Sequence, residues 1–379
     1  MPRLPEGLGL PRIINAADTY SEIGGSVVAP EVADAMAQAA RVYVPMEKLQ
    51  DAVGERIAAI TRTEAGMVSA GAAAGLAMAT ISCTVGNDAA RAARLPHKGP
   101  DAPAVILQRC QRIPYDHAIR MTGARLVEIG FCDQTAEWEL SAALEDGAAA
   151  FVHIAGTPFE RHAIDLPRAC ALCHDHGVPV IVDAAAQLPP VENLWRYGEQ
   201  GADLVVFSGG KGLNGPQGSG IVAGRADLIA AARAHMSPNH GFGRAMKLGR
   251  EQIVGLMVAL ELFVARDWKK QHETWETRVA HVVDAFDGKL GLTAERLWPG
   301  RLGQHYPRAF IGWSGNPAPR DLIAELASGD PQIHLDLHED ARRGVTINPM
   351  VLTNDEEVDI VIRALLGSSL TRNAKAPVT

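Results

Sequence analysis

Two apolar runs limit the architecture open to this chain. Val180-Ile181-Val182 ends on Asp183, Leu204-Val205-Val206-Phe207 ends on Ser208, and the segment between them has room for one amphipathic helix. Short continuous apolar runs read as strands buried on both faces, and two of them joined by a helical crossover lie parallel in one sheet. The same alternation fills the first part of the chain. Strand-like runs at 67–69, 104–107, 126–129, 150–154, 178–183 and 204–208 are separated by helix-like segments at 71–85, 115–123, 137–145, 165–176 and 191–198. The pattern predicts an α/β fold with a mostly parallel sheet covered on both faces.

A further strand at 220–224 follows by a short connection, which suits an antiparallel partner. Ahead of the sheet, 1–30 reads as an irregular arm rich in Pro and Gly, and a helical pattern runs from Pro30 to about Ile60, broken at Pro45. Another, from Lys247 to about Phe286, forms a natural bridge between domains. Beyond it lie strands near 308–313, 333–338 and 345–348 and helices at 319–328 and 354–366. The expected domains are an arm (1–30), a large domain (31–265), a smaller C-terminal α/β domain with the linking helix (266–368) and a polar tail (369–379).

Composition removes several function classes. The 379 residues are too many for one small core, and a net charge of -8 argues against broad binding to nucleic acid. Five cysteines without the spacing of a small secreted domain, and an N-terminus lacking a basic region before an apolar core, fit a reduced, cytoplasmic setting. The uncharged stretch 65–87 contains Gly71-Ala72-Ala73-Ala74-Gly75, a match to the membrane-helix dimer pattern. Its Ala, Gly, Ser and Thr would insert poorly, so a buried strand-loop-helix is expected and no membrane partner.

Ligands of open parallel sheets bind beyond the carboxyl ends of the strands, and the candidate residues fall there. Ser69-Ala70-Gly71-Ala72-Ala73 opens a helix of small residues whose free amides suit a phosphate, though close helix-sheet packing would use the same residues. Asp183 suits a protonated pyridine nitrogen, and taken alone it also suits a helix cap. Gln187 suits a phenolic oxygen or a turn cap. Lys211, in Ser208-Gly209-Gly210-Lys211-Gly212, suits a Schiff-base amine with Ser208 donating to a phosphate; the plainer alternative is a solvated loop lysine. A carboxylate and an amine at one sheet edge are what pyridoxal 5'-phosphate (PLP) requires.

Rival motifs carry less. Gly210-x-Gly212-x-x-Gly215 matches a dinucleotide fingerprint, but Pro216 and a short strand follow where a helix is required. Cys170-Ala171-Leu172-Cys173-His174 matches a haem-attachment pattern within what reads as an ordinary helix. The histidines show no metal-ligand spacing, so no metal is expected.

With these residues placed, the chain resembles the fold-type I PLP enzymes, and more narrowly the selenocysteine synthase-like group that includes D-glucosaminate-6-phosphate ammonia-lyases. The resemblance rests on 49–79, Tyr115 to Gly130, Ser208 to Gly220 and Gly243 to Glu251, most of the large domain. It implies a seven-stranded-type sheet, Lys211 as the cofactor lysine, Asp183 as the pyridinium partner, and phosphate contacts from Gly71, Ala72 and Ser208. It also implies a homo-oligomer, at least a dimer, in which the segment from Gly241 to Lys247 reaches a neighbour's cofactor. One position departs from the group. Where a histidine is expected to stack on the ring, this chain has Gln111, unless His117 or Tyr115 serves.

The reaction expected from this is α,β-elimination on a β-hydroxy amino acid, sugar-derived or D-configured substrates included, giving ammonia and a 2-oxo acid. Lys211 would be the general base. Arg120, Arg244 and Lys247 are candidates for a substrate carboxylate or phosphate, and surface salt bridges suit each of them as well. Racemisation or aldol cleavage shares the first steps, and a tRNA-linked transferase is the alternative of another class.

Overall fold

The computed structural model describes residues 7–372 except 97, 98, 100 and 339–342. The chain divides into two compact units. One comprises Val28–Ala265 with Leu302–Gln304; the other takes the N-terminal segment to Val27, Arg266–Arg301 and His305 onward. Residues 7–27, within the segment read as an arm, therefore group with the C-terminal unit. Their strand β1 (Ile13–Asn15) pairs in parallel with a strand of that unit, Gln332–His334.

The large unit is built on β2 (Ala65–Ser69), β3 (Ala104–Gln108), β4 (Arg125–Ile129), β5 (Ala150–Ile154), β6 (Val180–Asp183), β7 (Leu204–Ser208) and β8 (Gly220–Gly224). They form one seven-stranded sheet in the order β2-β8-β7-β6-β5-β3-β4. β8 runs antiparallel to both of its neighbours, and every other pair is parallel. All side chains of β3, β5, β6 and β8 are buried. Each buried Val, Leu or Ile contributes about 1.5–3 kcal/mol, so these apolar strands anchor the fold and hold their polar ends in place.

Small residues let the helix Ala72–Thr84 approach the sheet closely. A side chain at Gly75 would lie 3.0 Å from Val222 and 3.1 Å from Val206. At 13 residues this helix is too short for a bilayer, and among the described residues no helix is long and apolar enough to cross a membrane. The segment 115–123, expected to be a helix, is instead a 3-10 turn Pro114–Asp116 followed by the single helical turn His117–Arg120. Gly123, at φ +85°, turns the chain toward β4.

The C-terminal unit has its own apolar core around Phe286, Ile311 and Val361. The strands β9 (Thr293–Leu297), β10 (Arg308–Gly312), β12 (Asp336–Leu337) and β13 (Gly344–Ile347) form an antiparallel sheet ordered β12-β13-β10-β9, while β11 (Gln332–His334) takes β1. Edge strand β9 escapes sequence reading because only Ala294 of its five residues is buried. The long helical pattern after Lys247 is two helices, Arg250–Ala265 and Trp268–Phe286. They part at Asp267, whose carboxylate accepts from the Lys270 N–H at 3.0 Å and starts the second.

Candidate active site

Strand register brings the predicted residues to one sheet edge. Ser69 on β2 and Ser208 on β7 both pair with Gly220 of β8, so the two hydroxyl residues flank one glycine. Asp183 ends β6 opposite Val206, two residues before Ser208. Three separate segments of sequence thus meet across four adjacent strands.

The start of the helix Ala72–Thr84 depends on two glycines. Gly71 adopts φ +86° and ψ 166°, a conformation that an L side chain rarely takes, and no side chain caps the helix. Among the described residues nothing lies within 4 Å of where a Gly71 side chain would stand, and the first amides of the helix have no side-chain cap. Gly220 lies directly behind: a side chain there would come within 2.7 Å of the Gly71 carbonyl carbon and 2.9 Å of the Ala72 nitrogen. Ser69, buried, donates its hydroxyl to the Gly71 carbonyl at 2.9 Å and so braces the turn.

Asp183 is 8% exposed, and the Ala185 N–H, at 3.0 Å, is the only hydrogen-bond donor to its carboxylate among the described residues. Burial pushes its pKa above the ordinary carboxylate value, while the Ala185 hydrogen bond and the positive charge of Lys211 pull the other way. A buried carboxylate with so few partners is costly unless a cation or a proton-bearing group completes it.

Lys211 follows β7 on a loop that folds back on itself. The Gly209 N–H donates to Ser219 at 2.8 Å and the Gly215 N–H to Gly209 at 2.8 Å. At Gly212 a side chain would overlap the Leu188 carbonyl, so the lysine loop rests directly on the backbone that continues from Asp183. Lys211 is half-buried and makes no ion pair within 4.0 Å among the described residues. Its Nζ lies 6.0 Å from the centroid of the Tyr115 ring.

Other candidates fall differently. Gln111 is wholly buried, and its amide is spent on the Ile154 backbone, donating to the carbonyl at 3.2 Å and accepting from the N–H at 3.1 Å. It has no surface with which to stack on a ring; Tyr115 is the aromatic that faces the lysine. Gln187, also buried, donates to the Ala155 carbonyl at 3.1 Å. Arg120 lines a cavity of about 490 Å³ with Ala73, Ala74, Tyr115, His117 and Met246, and is tied to the buried Asp116 at 3.0 Å. Arg244 and Lys247 are exposed and do not line that cavity. His117 contacts Arg120 at 3.1 Å.

Cys170 and Cys173 are buried in the helix Leu166–Asp175, where burial pushes both thiols up to about 12. Among the described residues no group of three or more His, Cys, Asp or Glu side chains could hold a metal ion. Sequence reasoning missed the chain of buried polar groups behind β5, from Gln108 through Gln111 to His153. The available signal was two glutamines three apart closing an apolar strand.

Comparison with known proteins places the chain in a family and a fold. The family model described as "SelA: L-seryl-tRNA selenium transferase" matches residues 13–297. The D-glucosaminate-6-phosphate ammonia lyase of Salmonella typhimurium is 34% identical over 375 residues, 96% of this chain and 97% of the relative. A 5'-C-glycyluridine monooxygenase-decarboxylase of a Streptomyces species is 32% identical over 366 residues, 94% of this chain and 90% of the relative. Among solved structures, a D-glucosaminate-6-phosphate ammonia-lyase superposes with a TM-score of 0.85 at 28% identity, covering 99% of this chain and 100% of its own.

Proposed function

The chain belongs to the SelA, L-seryl-tRNA selenium transferase, family, and from that premise we propose that it is a PLP-dependent lyase. It would convert a β-hydroxy amino acid, sugar-derived, into ammonia and a 2-oxo acid. One observation carries the reading: a buried, under-partnered Asp183 and an unpaired Lys211 share a sheet edge with an uncapped helix start. The name of the Salmonella relative supports the choice of ammonia loss from a sugar amino acid.

The residues present fit PLP. Lys211 would hold it, Asp183 would meet its ring nitrogen, and Gly71, Ala72 and Ser208 would receive its phosphate before the helix, while Ser69, expected to contact the phosphate, is buried and braces the Gly71 turn instead. When bound, PLP supplies an electron sink for charge that develops at the substrate α-carbon. Asp183, enclosed by apolar strands, would keep the ring nitrogen protonated. Once displaced by the substrate amine, the amine of Lys211 would take the α-proton as general base and pass a proton to the β-hydroxyl, which would leave as water. Hydrolysis of the resulting enamine then releases ammonia. Arg120, Arg244 and Lys247 would take substrate anions. The enzyme would work in the cytoplasm on a small molecule, as a dimer or larger, without a nucleic-acid partner.

The Streptomyces relative favours a second reading, oxidative decarboxylation. Purified protein incubated with D-glucosaminate 6-phosphate is expected to release ammonia and keto acid without oxygen uptake. Oxygen-dependent release of carbon dioxide from an amino acid substrate would favour the second reading. Borohydride should bleach the yellow protein and fix the cofactor to Lys211; a Lys211→Ala variant that keeps colour and activity would overturn the PLP assignment.

A further inference from the structure

Behind the Asp183 strand runs a buried polar chain that the chemistry above does not use. β3 stops pairing with β5 at Leu107, opposite Val152, and side chains continue the ladder where the backbone leaves off. The Gln111 amide bonds both the N–H and the carbonyl of Ile154, as a neighbouring strand would. Gln108 treats Ile164 similarly, accepting from its N–H at 2.7 Å, and donates to Gln111 Oε1 at 3.4 Å. Gln108, Gln111 and His153 are each fully enclosed.

The chain continues outward through a histidine and a glutamate. Gln111 Nε2 lies 3.4 Å from His153 Nδ1, and His153 Nε2 lies 3.2 Å from Glu160 Oε1. An amide nitrogen can only donate, so Nδ1 accepts and Nε2 carries the proton given to Glu160. The second oxygen of Glu160 accepts from the Gly156 N–H at 2.9 Å. Gln111 and Glu160 thereby hold Ile154 and Gly156, on either side of Ala155, while Gln108 and His153 brace those two side chains.

That segment is the hydrogen-bonded neighbour of Asp183. Ile154 stands opposite Asp183 in the β5–β6 register, and the Ala155 N–H donates to the Asp183 carbonyl at 3.0 Å. Gln187 holds the Ala155 carbonyl from the other side at 3.1 Å. We propose that Gln108, Gln111, His153 and Glu160 are positioning residues that act through Ile154–Ala155 to fix Asp183 against the ring nitrogen of its cofactor. The inference rests on the PLP reading of Asp183. A satisfied buried network costs little and specifies one geometry, whereas loss of one member leaves backbone groups unpaired.

The test compares wild-type, Gln111→Leu and Asp183→Asn holoenzymes. Two readouts are used: deuterium uptake at residues 154–156 and the pH midpoint of the visible cofactor absorbance. Gln111→Leu is expected to raise uptake there by about tenfold or more, as for loss of a buried hydrogen bond, and to move the midpoint in the direction set by Asp183→Asn. Glu160→Gln, at the outer end, should move both in the same sense by less, and it serves if Gln111→Leu does not fold. Raised uptake with an unchanged midpoint would make the network purely structural and overturn the proposal. If Asp183→Asn itself leaves the midpoint unmoved, the PLP reading of Asp183 falls, and the proposal with it.

Discussion

Lys211 directs its amine toward Tyr115, with Nζ 6.0 Å from the ring centroid, although the two residues lie on different strand-end loops. The Tyr115 side is 61% exposed and forms part of the wall of the cavity shared by the helix start and Arg120. An aromatic in this position supplies a flat apolar face and attracts a cation, each effect worth about 0.5–1.5 kcal/mol. Tyr115→Ala is expected to weaken binding of PLP to the apoenzyme by roughly three- to tenfold, and Tyr115→Phe by less than about twofold. Equal affinities for all three proteins in a fluorescence titration would remove Tyr115 from the site.

Gly220→Ala tests the seat of the helix start. Its new methyl would stand 2.7 Å from a backbone carbon and 2.9 Å from a backbone nitrogen, neither of which can rotate away. Overpacking of this kind costs about 1–3 kcal/mol, and the displaced amides are those proposed to take the phosphate. The variant should lose several degrees of Tm and bind PLP at least tenfold more weakly. A protein with lowered Tm and full PLP affinity would show that those amides do not contact phosphate.

Cysteine chemistry separates the buried pair from the exposed thiol. With thiols pushed up to about 12 by burial, Cys170 and Cys173 hold on the order of one part in ten thousand as thiolate at pH 8. Iodoacetamide should label the exposed Cys132 in the native protein and reach Cys170 and Cys173 only after denaturation. Rapid native labelling of either would mean that the helix Leu166–Asp175 opens readily.

Glu160 gives a pH dependence of known sign. Partial burial works against its charge, but the hydrogen bonds from His153 and the Gly156 N–H prevail and hold its carboxyl below the ordinary value of 4.5. A carboxyl lowered on folding stabilises the protein above its unfolded pKa and loses that contribution as pH falls through the folded value. Glu160→Gln should therefore be less stable than wild type at pH 7, by about 1 kcal/mol or less because the side chain is partly solvated. The gap should close as pH drops below about 4. A constant gap from pH 7 to 3.5 in urea unfolding would contradict this.

Much of the large unit was legible because its strands are short apolar runs, and such runs have few places to go but a covered sheet. The runs ending in Asp183 and Ser208 carried the topology and, with Gly71, the outline of the site. The C-terminal unit read less clearly. β9 exposes most of its residues, and β1 finds its partner more than 300 residues away, a pairing no local pattern announces.

Gln111 marks the limit most sharply. The family resemblance put it where a residue would stack on the cofactor ring, yet its amide turns inward to complete the β5 ladder. Sequence by itself determined the sheet, the strand ends and the residue types at them, because periodicity and apolar content act locally. Only the tertiary structure decided which polar side chains face the open edge and which are spent on backbone. That choice depends on which N–H and carbonyl groups remain unpaired once all the strands have assembled, and each must find a partner before the interior can close.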